Sequence, residues 1–153
     1  MTLRFFRRGV SRVYWLPAVV DAAAPTGPEI VAGTELTPHI AEMSGWERVR
    51  TSIAVPDLGS DFTRQIAGEA TVQNPTITFY DERDMPALRT MIAEGTAAWI
   101  MLAPHGLVSG ERADLWLAEV LHVNDAYTVA SEAAKFQAAF AVLEAPKQGV
   151  TLP

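Results

Sequence analysis

The segment over residues 74–104, NPTITFYDERDMPALRTMIAEGTAAWIMLAP, constrains the fold more than any other part of the chain. It reads as strand, acidic turn, short helix, glycine stop and buried strand. Ile77 and Phe79 alternate with Thr76, Thr78 and Tyr80, the period-2 pattern of a strand with β-branched and aromatic content. Asp84 is placed to cap a helix over residues 84–94, and Pro86 falls in the first turn, where a missing N–H costs nothing. Leu88, Met91 and Ile92 share one apolar face, and Gly95 is expected to stop the helix. The run AAWIMLA over residues 97–103 has no polar residue on either face, which predicts a strand buried on both sides.

A chain of 153 residues is expected to form one domain with a real core. Its 49% hydrophobic and 20% charged composition is that of a globular protein, and its ten prolines scatter instead of marking a linker. No apolar run approaches the roughly 18 residues that cross a bilayer, and the N-terminus lacks the apolar core of a secretory signal. The expectation is a protein made and kept in a cytoplasm, with no membrane partner. The absence of cysteine fits that compartment and removes thiol catalysis and thiolate metal sites.

Charge is unevenly spread. Arg4, Arg7, Arg8 and Arg12 account for four of the twelve basic residues, leaving residues 13–153 with eight basic against eighteen acidic, a balance of −10. A basic arm over residues 1–9 thus precedes an acidic body. Such a body repels nucleic acid, because duplex affinity comes mainly from Lys and Arg neutralising phosphates. Composition alone is equally met by acidic charge that keeps the domain soluble.

Elsewhere extended segments dominate. Residues 10–19 alternate, with Val13 and Trp15 on one face and Arg12, Tyr14 and Leu16 on the other. Residues 21–37, with the PTGP string and Gly33, read as a long surface connection. Residues 39–43 and 46–55 are expected to form a hairpin through Ser44 and Gly45. A turn over residues 56–60 leads to a strand holding Phe62, Arg64 and Ile66. Residues 115–123 place Leu115, Leu117, Leu121 and Val123 on one face, interrupted by Glu119, and Asn124-Asp125 suits a turn before a short strand over residues 126–130. Residues 131–144 are ambiguous: alanine content and the spacing of Phe136, Phe140 and Leu143 favour a helix, whereas Phe136, Ala138, Phe140 and Val142 alternate as a strand would. Residues 146–153 have no periodicity and read as a C-terminal arm. Several strands between turn signals predict a mainly β fold, a sandwich or barrel.

Catalytic signals are weak. His39, His105 and His122 lie far apart without ligand spacing, and a lone histidine is more often structural. Pro104-His105-Gly106 resembles part of an esterase oxyanion loop, but no G-x-S-x-G nucleophile accompanies it. Asp81, Glu82 and Asp84 lack the spacing of a calcium loop and suit a helix N-terminus. No nucleotide cradle is present, so neither cofactor nor metal is expected. The aromatic and basic arm, Arg4-Phe5-Phe6-Arg7-Arg8, is weak for nucleic acid or membrane and suits docking on the acidic face of another copy.

The order of these strings resembles the tail tube (major tail) proteins of long, non-contractile-tailed bacteriophages. The similar strings are Gly9-Val10-Ser11-Arg12-Val13-Tyr14, Pro25-Thr26-Gly27-Pro28-Glu29-Ile30 and Ala32-Gly33-Thr34-Glu35-Leu36-Thr37, then Pro56-Asp57 with Phe62 and Ile66-Ala67-Gly68, then Thr78-Phe79-Tyr80-Asp81 with Arg89 and Gly95. The resemblance implies a β-sandwich or half-barrel with one flanking helix, building hexameric rings that stack into a tube around a DNA channel. It implies that the ambiguous segment is not a helix and that residues 135–144 are a strand closing the sheet. It also implies arms that join rings, carrying Arg4, Phe5, Phe6, Arg7 and Arg8 at one end and Val150 and Leu152 at the other, and a loop over residues 51–60, with Pro56, Asp57 and Leu58, that reaches the adjacent ring. Glu42, Glu47, Glu69 and Glu119 are candidate lumen residues. Implied partners are other copies of the chain, the tape-measure protein, a tail terminator and a distal tail protein, with transient passage of DNA. The implied location is the virion tail, after assembly in a host cytoplasm. Two other readings are a tail terminator or head–tail connector, which would stop at one ring, and a small β-domain enzyme using His105 or His122.

Overall fold

The computed structural model describes residues 3–83 and 86–153. Arg12–Leu16 (β1) pairs with the short Thr34–Glu35 (β2) and with Ala97–Ala103 (β7), which pairs with the long Arg112–Ala126 (β8). The sheet continues through Lys135–Val142 (β9) and Thr76–Tyr80 (β6) to Ile40–Ser44 (β3), all antiparallel. Lys147–Thr151 (β10) pairs with the start of β8, on the edge that β9 takes up further along. Val49–Val55 (β4) and Arg64–Thr71 (β5) form a separate hairpin. The helices are Gly27–Val31 (α1) and Pro86–Met91 (α2), with a 3-10 turn over Thr37–His39.

One face of the sheet collects Val13, Trp15, Ile77, Phe79, Ile100, Trp116, Val120, Phe136 and Phe140, with Leu88 of α2 and Ile92 just after it. Ile40 and Met43 of β3 pack on the same cluster as Val13 of β1, although β1 and β3 lie near opposite ends of the strand order. They also line one shared cleft, so the sheet curls into the expected half-barrel around this core. Trp46 covers it, edge-on to Trp116 and with its Nε1 donating to the Thr76 carbonyl. A second cluster lies on the opposite face: Leu16, Met101, Ala103, Ala113 and Leu115, covered by Ile30 of α1 and by Val150 and Leu152. Ile100 and Met101 are both fully buried, on opposite faces, as the unbroken apolar run of β7 requires.

β6 and β7 hold, and so does the strand expected over residues 135–144, which runs from Lys135 to Val142. Phe136, Ala138 and Phe140 face the core while Gln137 is exposed, so tertiary burial outweighs the helix propensity of alanine. Several expectations are corrected. Residues 39–43 and 46–55 do not pair: β3 pairs with β6, because Gly45 at φ 80° redirects the chain and β4 finds its partner in β5. The connection over residues 21–37 holds α1, since Thr26 and Glu29 form a capping box, the Thr26 hydroxyl accepting from the Glu29 N–H and the Glu29 carboxylate from the Thr26 N–H. The cap expected of Asp84 lies outside the described residues. α2 ends at Met91, short of residue 94, and Gly95 at φ 82° donates its N–H to the Val120 carbonyl in the turn that feeds β7.

β8 also departs from its pattern. A bulge between Val120 and His122 shifts the alternation by one, so Val123 joins Trp116 and Val120 at the core while Leu121 stays exposed. Asn124 and Asp125 continue the strand, the turn falls over residues 127–134, and residues 126–130 do not make the separate strand expected. The C-terminal segment is β10, not a free arm: Val150 and Leu152 are 7% and 3% exposed, and the Leu152 N–H donates to the Glu111 carbonyl. Apolar burial of two side chains suffices to dock so short a strand, a signal that sparse alternation does not reveal.

Candidate assembly surfaces

The face opposite the main core is divided. Over β1, β7 and the first part of β8 it is sealed by α1 and the C-terminal strand. Over the rest of β8, β9, β6 and β3 no described element packs on it. Strand pairing sets rows across these four strands: Ser44, Thr76, Ala139 and His122 in one, Glu42, Thr78, Gln137 and Asn124 in the next. The residues are small or polar and several are exposed, so the face carries no apolar demand for a cover.

This four-stranded portion has two unpaired edges. Among the described residues β3 pairs only with β6. β8 pairs with β7 as far as Glu119, and after the Val120 N–H reaches the Thr96 carbonyl, residues 121–126 have no strand partner on that side among the described residues. Open edges of this kind are templates for another chain.

The β4–β5 hairpin is the opposite case. Regular alternation on β4 puts Val49, Ile53 and Val55 on one face, with Ile66 paired to Ile53, and all four are 44–56% exposed. Arg50, Ser52 and Gln65 occupy the other face. An extra residue on β5 makes a bulge near Gly68, where an added Cβ would meet the Thr51 carbonyl at 2.8 Å. At the tip, Asp57 accepts from the Gly59 N–H and Ser60 from the Phe62 N–H, leaving Leu58 and Phe62 in the open. Two strands alone are marginal in water, so an uncovered apolar face here is a candidate interaction surface.

Of the expected lumen acids, Glu42 and Glu119 stand on the divided face, Glu42 over the open rows and Glu119 beside Ala97 and Ala141. Glu47 lies between β3 and β4, and Glu69 lies at the hairpin bulge. The N-terminal residues from Leu3 onward are largely exposed, but not detached. Phe5 packs on the His105 ring at 5.1 Å, Arg7 lies over Phe5, and the Arg7 carbonyl accepts from the Val10 and Ser11 N–H groups.

The histidines do not converge. His39 contacts Glu82 at 3.3 Å, His105 contacts Phe5, and His122 contacts Asn124. Among the described residues no group of acidic or histidine side chains could hold a metal ion, and no helix is long and apolar enough to cross a membrane. The perturbed titrating groups serve structure. Hydrogen bonds from the Thr26 and Val20 N–H groups hold the Glu29 carboxyl below the usual range at the start of α1. The Arg89 hydrogen bond does the same for Asp125, tying α2 to β8 while the guanidinium lies over Phe136. Burial, then Glu35, pushes the Tyr14 hydroxyl up.

A half-barrel with an open sheet face, two free edges and a bare apolar hairpin defines a structural domain built to meet other chains. The chain belongs to the phage tail tube protein family, which it matches over residues 1–153. It is accordingly a structural, non-enzymatic tube protein and a component of the virion tail. No curated protein matches it in sequence. Solved structures share its fold. A chain of the anti-feeding prophage baseplate has a TM-score of 0.60 at 10% identity, covering 99% of both chains. The SPP1 tail tube protein has 0.54 at 14% identity, covering 94% of this chain and 78% of that one. The cap that terminates the anti-feeding prophage tube has 0.53 at 12%, covering 97% and 95%.

Proposed function

We propose that this chain forms hexameric rings that stack into the tube of a phage tail, the conduit through which DNA leaves the virion. The observation that carries this reading is the open face of β8, β9, β6 and β3, bounded by unpaired edges on β3 and on residues 121–126. These strands alternate in direction, so β3 of one copy meets β8 of the next antiparallel, and repetition gives a closed barrel with the open face inward. Closure also removes the edges.

That face would line the lumen with Glu42, Glu119, Thr76, Thr78, Gln137 and Asn124, and with Lys135 as its one added cation. Few cations mean little phosphate neutralisation, so DNA passes without sticking. Glu47 and Glu69 belong to the region joining rings, with the hairpin and the basic N-terminal residues. The tape-measure protein would occupy the lumen before DNA, with a terminator and a distal tail protein at the tube ends, all assembled in the host cytoplasm.

Electron microscopy of the purified protein, alone and with its tail-assembly partners, tests the reading. Hollow tubes of stacked six-fold rings are expected. A product that stops at one ring would instead indicate a terminator or connector, and a strict monomer under both conditions would refute assembly.

A further inference from the structure

We infer that the acidic tip of the β4–β5 hairpin docks in the arginine-rimmed cleft at the half-barrel seam of a second copy. The tip, residues 56–63, carries Asp57 and Asp61 and no basic residue, and presents Leu58 and Phe62 to solvent. The cleft lies between β1 and β3, with a volume of about 420 Å³ and a further 330 Å³ adjoining it along the seam. The larger part alone is within the scale of binding pockets, about 300–1,000 Å³.

Arg7, Arg12 and Arg112 stand around its mouth, and Val13, Met43 and Leu102 make its apolar lining. Glu35 lies 3.5 Å from Arg12 and offsets it, and Asp114, which accepts from the Gly149 N–H, keeps its charge, so Arg7 and Arg112 against Asp114 leave the cleft net positive. Tip and cleft therefore match in sign and in apolar content. A second copy is favoured over another partner because both halves of the match are on this chain. The hairpin makes no substantial packing contact with its own body. Its strands, of seven and eight residues, are about 23 and 26 Å long at about 3.3 Å per residue, long enough to cross to a neighbour. Tip and cleft are different surfaces, so the contact is heterologous and propagates, as a stack requires.

The inference deepens the tube reading by giving the hairpin a receptor, and the two can fail separately. The chain has no cysteine, so engineered pairs report cleanly. Leu58→Cys and Met43→Cys are made singly in the full chain, mixed and oxidised. Covalent heterodimers are expected at about tenfold the yield of a Leu58→Cys and Val20→Cys mixture, because docking raises the effective concentration. The excess should shrink in 1 M salt, where screening acts within about 3 Å. Yields equal to the control overturn the inference, even if the protein forms tubes. A specific cross-link without rings or tubes upholds docking and sinks the tube reading.

Charge reversal avoids altering the apolar lining. Asp57→Arg with Asp61→Arg should abolish stacking, and adding Arg7→Glu with Arg112→Glu should restore it. Stacking that survives the first pair, or does not return with the second, overturns the inference.

Discussion

The β8–β9 and β4–β5 hairpins obey the same alternation and meet opposite fates. In β8–β9 the apolar side is spent on the fold: Trp116, Val120, Phe136 and Phe140 are all at most 2% exposed. In β4–β5 the apolar side, Val49, Ile53, Val55 and Ile66, is left about half exposed and belongs to neither core cluster. Their open faces differ as well, since β9 turns Gln137 and alanines outward while the hairpin turns out branched aliphatics. One hairpin builds the body and offers a polar surface that tolerates water. The other adds little to the body and offers a surface that does not.

That contrast can be broken first in the core. Phe140→Ala should cost about 3–5 kcal/mol, because the ring is fully buried and contacts Trp46. Chemical denaturation of unassembled protein measures it, and a loss below about 1 kcal/mol would mean that the core is not where the body's stability resides. Gly33→Ala comes next, at about 1–3 kcal/mol, since its Cβ would overlap Leu16 and approach the Trp15 carbonyl at 2.9 Å. It should loosen the sealed part of the face opposite the main core without touching the hairpin.

Replacing Ile53 and Ile66 by Ser sharpens the comparison from the other side. The folded monomer should change by no more than about 0.5 kcal/mol while assembly, followed by sedimentation, is lost. A large drop in monomer stability would show that the hairpin belongs to the body after all. The smallest effect is expected at Arg89 and Asp125, whose side chains are both over a third exposed. The Asp125 carboxyl is held low, so the pair stabilises above the ordinary aspartate pKa and fades as pH falls through the lowered value. In Arg89→Met that acid-side loss should flatten in denaturation curves taken across pH.

The sequence was legible where local pattern and burial agree. The run from Ala97 to Ala103 admits only a strand covered on both sides, and the alternation of Phe136, Ala138 and Phe140 survived a helical composition. It was less legible where a structure depends on distant residues. β3 could not reveal that its partner is β6, because pairing across more than thirty residues leaves no mark on either strand. The bulge at Leu121 moved Val123 to the core, and one inserted residue inverts any face read from spacing. The first helix carries a weak signal, because Thr26 and Glu29 stand at capping-box spacing inside a string dominated by proline and glycine. The candidate surfaces were half visible. The hairpin tip and basic arm stand out in sequence, whereas the open sheet face and its edges exist only once the strand order is known.

Hydrogen exchange, compared between unassembled and assembled protein, tests the division of labour most directly. Protection should rise in the hairpin, in β3 and over residues 121–126, and stay unchanged in β7 and the first half of β8, which are already sealed. Unchanged exchange in β3 and residues 121–126 on assembly would contradict the account, because it would leave both free edges unpaired in the tube.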